Sequence, residues 1–145
     1  MIAVDTNLLI YAHRLESPFH QAARALIEEL RGSLAPWAIP WPCVHEFLSI
    51  VTHPRIFKTP TPLALAFASV DAWLAGGNLH LISESDGYRE KLREIAASAH
   101  LQGPRIHDAR IAALCLHHGV RELWTADRDF SAFPQLTTRN PLVKQ

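Results

Sequence analysis

Apolar positions follow two rhythms along this chain. Short continuous runs read as strands buried on both faces: IAVD at 2–5, LHLIS at 79–83 and VRELWTA at 120–126. LAPWAIP at 34–40 is a further candidate limited by its prolines, and LTTRN at 136–140 a fifth. Between them apolar residues recur every three or four positions, as on one face of a helix. NLLIYAHR at 7–14 is a short helix, and SPFHQAARALIEELRG at 17–32 a clear one, with Ser17 as N-cap, Pro18 in the first turn and Gly32 as the stop. WPCVHEFLSIVTHP is opened by Pro42 and closed before Pro54, and the next helix lies between Thr61 and the Gly76-Gly77 pair. Tyr88, Leu92, Ile95, Ala96 and Ala99 mark an amphipathic helix, and IHDARIAALCLHHG one that Gly119 stops.

Strands separated by helices predict one α/β domain over 1–145. Its core is a mainly parallel sheet of about four or five short strands, flanked by helices. In such sheets, sites form beyond the carboxyl ends of the strands. Asp5 stands at the end of the first strand. Asp127 follows the fourth, with Asp129 two residues on. These can converge if the two strands are neighbours. Asp108 shares a helical stripe with Ile111, Ala112 and Cys115, while Arg110 and His117 fall on the other side, so its carboxylate is expected to face the interior. Glu46 borders the flank of a stripe made by Val44, Phe47, Leu48 and Val51.

Each acid also has a purely structural reading. Asp5, Thr6 and Asn7 suit a helix cap, Asp108 a first helical turn, Asp127 and Asp129 a turn, and Glu46 a solvated flank. Together they point elsewhere, because an inward carboxylate needs a partner to offset its desolvation, and no matching set of inward cations is evident. Magnesium or manganese supplies one, since both prefer carboxylate and water oxygens. Without it the four acids repel and raise one another's pKa.

Composition narrows the substrate. Lys plus Arg and Asp plus Glu both number 14, so the formal net charge is zero with the nine histidines neutral. Broad polyanion affinity needs excess cations, and a small specific target fits better. Two cysteines make no disulfide framework. The apolar start is broken at Asp5, and no stretch suits a membrane span, so the cytoplasm is the expected location. CVH and CLHH resemble zinc pairs, but positions two apart on a helix diverge, and neither thiol is marked as a nucleophile. DTN lacks the second acid of DxD phosphatases, and there is no Gly-rich phosphate loop. His107, Arg110, Arg105 and Arg128 could approach a phosphate but read first as solvating residues. The four tryptophans read as core or interface.

VDTNLLIYA with Asp5, VHEFLSIV with Glu46, HDARIAAL with Asp108 and TADRDF with Asp127 follow one another over nearly the whole chain. In that order they resemble the PIN-domain ribonucleases, and more narrowly the VapC toxins of VapBC toxin–antitoxin pairs. The resemblance implies an endoribonuclease with Asp5, Glu46, Asp108 and Asp127 as its metal-binding quartet, and Asn7, Thr125 and Asp129 as accessory residues. It also implies an RNA substrate, products with a 5′-phosphate and a 3′-hydroxyl, a homodimer, and a VapB-type antitoxin that blocks the site. The rival readings are a PIN-type nuclease acting in RNA processing or on structured DNA, and a catalytically idle domain whose acidic pocket serves regulation.

Overall fold

The structure, a computed structural model, describes residues 1–143; the last two residues of the expected 1–145 domain lie outside the described residues. Among the described residues five strands form one sheet: β1 (Ile2–Val4), β2 (Trp37–Pro40), β3 (Leu79–Ile82), β4 (Glu122–Trp124) and β5 (Thr138–Arg139). Their order is β3-β2-β1-β4-β5, and every pairing is parallel. The connecting helices are α1 (Thr6–His13), α2 (His20–Gly32), α3 (Trp41–Val51), α4 (Leu63–Leu74), α5 (Tyr88–Ser98) and α6 (Ile106–His117). Two 3-10 turns, Gly103–Arg105 and Arg128–Ala132, precede α6 and follow β4.

The strand order explains where a site can form. From β1 the chain steps outward to β2 and β3, then returns to place β4 on the opposite side of β1. Right-handed crossovers send the connections of the two halves to opposite faces of the sheet. The loops after β1 and β4 therefore diverge and leave a crevice between them, the switch point of an open α/β sheet. Strand β2 is buried at all four residues, as a strand covered on both faces must be. The core beneath is continuous from Val4, Leu9 and Trp37 through Phe47 to Ala112, Leu114 and Leu123.

Local chemistry sets the ends of the elements. Helix α6 closes on Gly119, whose φ of 70° favours glycine, with Val120 N–H donating to Cys115 O at 2.8 Å across the turn. Ser17 does not cap α2 as expected. Its hydroxyl accepts from Phe19 N–H at 3.1 Å in a separate turn, and the helix opens only at His20, whose ring nitrogen meets Tyr11 O at 3.0 Å. The contact with α1 sets the start of the helix there. Among the described residues no helix is long and apolar enough to cross a membrane.

Candidate functional site

Register places the first acid. Val4 pairs with Trp124, and Asp5 N–H donates to Trp124 O at 3.0 Å, so Asp5 and Thr125 leave their strands side by side. Asp5 is 5% exposed and its carboxylate is surrounded by donors. Oδ1 accepts from Thr6 N–H at 2.8 Å and lies 3.4 Å from the Cys43 thiol. Oδ2 accepts from the Thr125 hydroxyl at 2.7 Å and is 3.4 Å from Asn7 Nδ2. Asp5 is also the N-cap of α1, so capping and site-building are one arrangement.

Thr125 and Asn7 bind the two loops together. The Thr125 hydroxyl accepts from Asp127 N–H at 2.9 Å, and Asn7 Oδ1 accepts from Ala126 N–H at 3.2 Å. Asp127 in turn caps the following 3-10 turn, its Oδ1 accepting from Asp129 N–H at 2.8 Å. Thr125→Val keeps the shape but removes the shorter of the two hydrogen bonds to Asp5 Oδ2 and strands the Asp127 N–H, at a cost of about 1–3 kcal/mol. A fall of that order in unfolding free energy in urea is expected, with Thr125→Ser close to wild type. A Thr125→Val protein as stable as wild type would mean the hydroxyl ties nothing together.

Asp5, Glu46, Asp108 and Asp127 all line one cleft of about 260 Å³, with Ile10, Ile50, Ile111 and Phe130 among its apolar walls. Glu46 is exposed. Asp108 sits over the cleft with its side chain 28% exposed, rather than inside the core. Helix α6 is buried on nearly every side, so its stripe did not single out an interior direction for a first-turn residue. Asp129 is exposed and is not part of the cleft lining.

Among the described residues no lysine or arginine lines this cleft. Arg105 stands at the rim, its Nε 3.7 Å from Asp108 Oδ2. Burial raises the pKa of Asp5, Glu46 and Asp108, opposed at Asp5 by the donors around it. The acids reinforce the rise: Asp127 acts on the other three, and Asp5 and Asp108 on Glu46.

Residues that sequence reasoning left out complete the setting. The Thr6 hydroxyl is buried, lines the cleft and has no hydrogen-bond partner among the described residues. Cys43 stands one helical turn before Glu46 and faces Asp5. Burial pushes its thiol well above the ordinary range, and that of Cys115 to about 12, which suits donors and not nucleophiles.

Oxygen donors without internal cations match a hard divalent ion. Among the described residues no three His, Cys, Asp or Glu side chains close up tightly enough to hold one ion by themselves. Carboxylates held apart in this way can meet such an ion partly through its bound waters.

A family model described as the PIN domain matches residues 2–136. The chain is 34% identical to Ribonuclease VapC43 of Mycobacterium tuberculosis over 145 residues, covering 100% of this chain and 98% of that protein. It is 28% identical to Ribonuclease VapC48 of the same species over 137 residues, 94% of each. Two solved structures share the fold. VapBC2 from Rickettsia felis bound to a promoter DNA fragment has a TM-score of 0.68 at 20% identity, over 96% of this chain and 98% of that one. FitAcB from Neisseria gonorrhoeae has a TM-score of 0.69 at 19% identity, over 97% and 98%.

Proposed function

This chain belongs to the PIN-domain family, among relatives named VapC ribonucleases, and from that premise we propose that it is a metal-dependent endoribonuclease, the toxin of a VapBC toxin–antitoxin pair. One observation carries the reading beyond kinship: Asp5, Glu46, Asp108 and Asp127, which arrive on four separate elements, share a cleft that no lysine or arginine among the described residues lines. The whole of 1–145 is taken as one nuclease domain.

Within this reading the four acids hold magnesium or manganese. A divalent cation there would supply positive charge to the phosphodiester and acidify a water for attack. The protein's share is positioning. Donors on both oxygens hold Asp5 as an acceptor, Thr125 and Asn7 lock the loops after β1 and β4 together, and Arg105 restrains Asp108 at the rim. Asp129 supports the site through its backbone, donating to Asp127 and accepting from Arg105 at 3.3 Å. Apolar walls limit water at the reacting phosphate.

A protein partner fits the surface of α4. Leu63, Phe67 and Leu74, which recur at helical spacing, are 60%, 48% and 40% exposed there, an apolar face suited to a second copy or a VapB-type antitoxin.

Purified protein with magnesium or manganese is expected to cut total cellular RNA into discrete fragments, and EDTA to stop it. The metal should also raise Tm, more at pH 7.5 than at pH 5.5. Carboxylates whose folded pKa is raised bind more protons folded than unfolded, so their contribution to stability falls as pH rises through the folded pKa. The metal offsets that loss where the acids are ionised and competes with protons where they are not. Asp108→Asn should weaken the rise. Intact RNA after incubation with folded, metal-loaded protein, or a Tm indifferent to metal, would sink the reading.

A further inference from the structure

The acidic cleft adjoins a second hollow on the far side of Asp127, of about 410 Å³ and opposite in chemistry. Asp127 is its only acid among the described lining residues. Arg128 and Arg139 line it, with Ser131, Thr138 and Asn140 as neutral hydrogen-bonding groups. Both arginines are exposed. Neither makes an ion pair within 4.0 Å among the described residues.

Their positions are tied to the acids. Arg139 ends β5, and its carbonyl accepts from Thr125 N–H at 2.9 Å, the residue whose hydroxyl holds Asp5. Arg128 follows Asp127 in the turn that Asp127 caps. The hollow beyond Glu46 makes a useful contrast. His107 and Arg110 line it, but Arg110 Nε lies 3.1 Å from the Glu84 carboxylate, so that side carries its own counter-charge. Arg105 is likewise engaged, by Asp108. Two guanidinium groups with no ion-pair partner within 4.0 Å among the described residues, in a chain of zero net charge, ask for an external anion. The planar arginine fork matches phosphate oxygens, and contacts of this kind set the register of a nucleic acid rather than read its bases.

We propose that this hollow seats a backbone phosphate of the RNA strand next to the bond that is cut, with Arg128 and Arg139 as the residues that position it. The inference rests on the nuclease reading and deepens it. An RNA strand whose scissile phosphate lies in the acidic cleft passes Asp127 on one side, and there meets the two arginines.

The test uses a fluorescein-labelled mixed-sequence 12-nucleotide RNA, its binding followed by anisotropy in EDTA across a salt series, beside cleavage of total RNA with magnesium. Arg128→Ala and Arg139→Ala should each reduce the slope of log K against log salt by about 0.7, and weaken binding roughly fivefold at ~0.1 M salt. KM for RNA should rise with kcat nearly unchanged, as expected for contacts made equally in ground and transition states. Arg139→Lys keeps the charge and should restore the slope, which separates phosphate contact from a folding defect. Arg89→Ala, which removes an exposed charge on α5, should change neither. Wild-type protein that binds and cuts RNA, with both arginine variants matching its slope and KM, overturns the subsite alone. Wild-type protein that neither binds nor cuts RNA overturns the subsite and the nuclease reading together.

Discussion

Asp5→Asn is expected to lower RNA cleavage by more than ~100-fold while leaving the protein folded, since loss of even an outer partner of a metal ligand costs roughly 10–100-fold. The environment of Asp5 demands an anion. Thr6 N–H and the Cys43 thiol face Oδ1, and the Thr125 hydroxyl and Asn7 amide face Oδ2. Every neighbour donates, so a side chain that only accepts is the one that fits. Asparagine must turn its amide toward one pair of these donors, whichever way it flips, and it brings no charge for a cation. Stability moves less, because a buried charge is removed while one donor is left facing donors. A change smaller than about 2 kcal/mol is expected. The check is initial cleavage rate beside a urea midpoint. A folded variant cutting within tenfold of wild type would take Asp5 out of the site.

Phe47→Ala should destabilise the fold by about 3–5 kcal/mol, the usual range for a fully buried aromatic truncated to alanine, and lower Tm by roughly 10 °C or more. Phe47 is fully buried on α3, one residue after Glu46. Its ring meets Trp73 of α4 with centroids 4.9 Å apart and the edge of His13 of α1 at 5.3 Å. His13 is itself anchored, with Nε2 2.8 Å from the Thr61 hydroxyl. Three helices therefore lose a common contact. Calorimetry gives the size of the effect, and Phe47→Leu should recover most of it. A loss below about 1 kcal/mol would mean that the site collapses around the gap, against the usual incomplete relaxation of such cavities.

What could be read from the chain was local. Apolar runs and helical spacing placed all five strands, and the four acids could be named because each follows a strand or sits at a set place on a helix. Sheet order could not be read, because parallel pairing joins distant segments, and that order decides whether Asp5 meets Asp127. Relative membership, not spacing, made the RNA reading specific. Three finer points needed coordinates. Ser17 looked like a cap until the contact between His20 and Tyr11 moved the helix start. Asp108 looked inward because it shares a stripe with Ile111, Ala112 and Cys115, yet its first turn overhangs the cleft. Cys43 carried no mark of a role, since nothing in its neighbours on the chain says that its thiol points at a carboxylate 38 residues earlier.

The position of β1 between β2 and β4 also has a consequence for synthesis. The bond from Thr125 to Asp5 spans 120 residues, and a ribosome adds about 5–20 residues per second. For several seconds a nascent chain carries Asp5 on a strand whose partner has not yet been made, with neither Thr125 nor Asp127 beside it. The acid is translated 120 residues ahead of the hydroxyl that holds it. Under the proposed nuclease reading, a chain assembled in this order completes its acidic cleft only once Asp127 has been made.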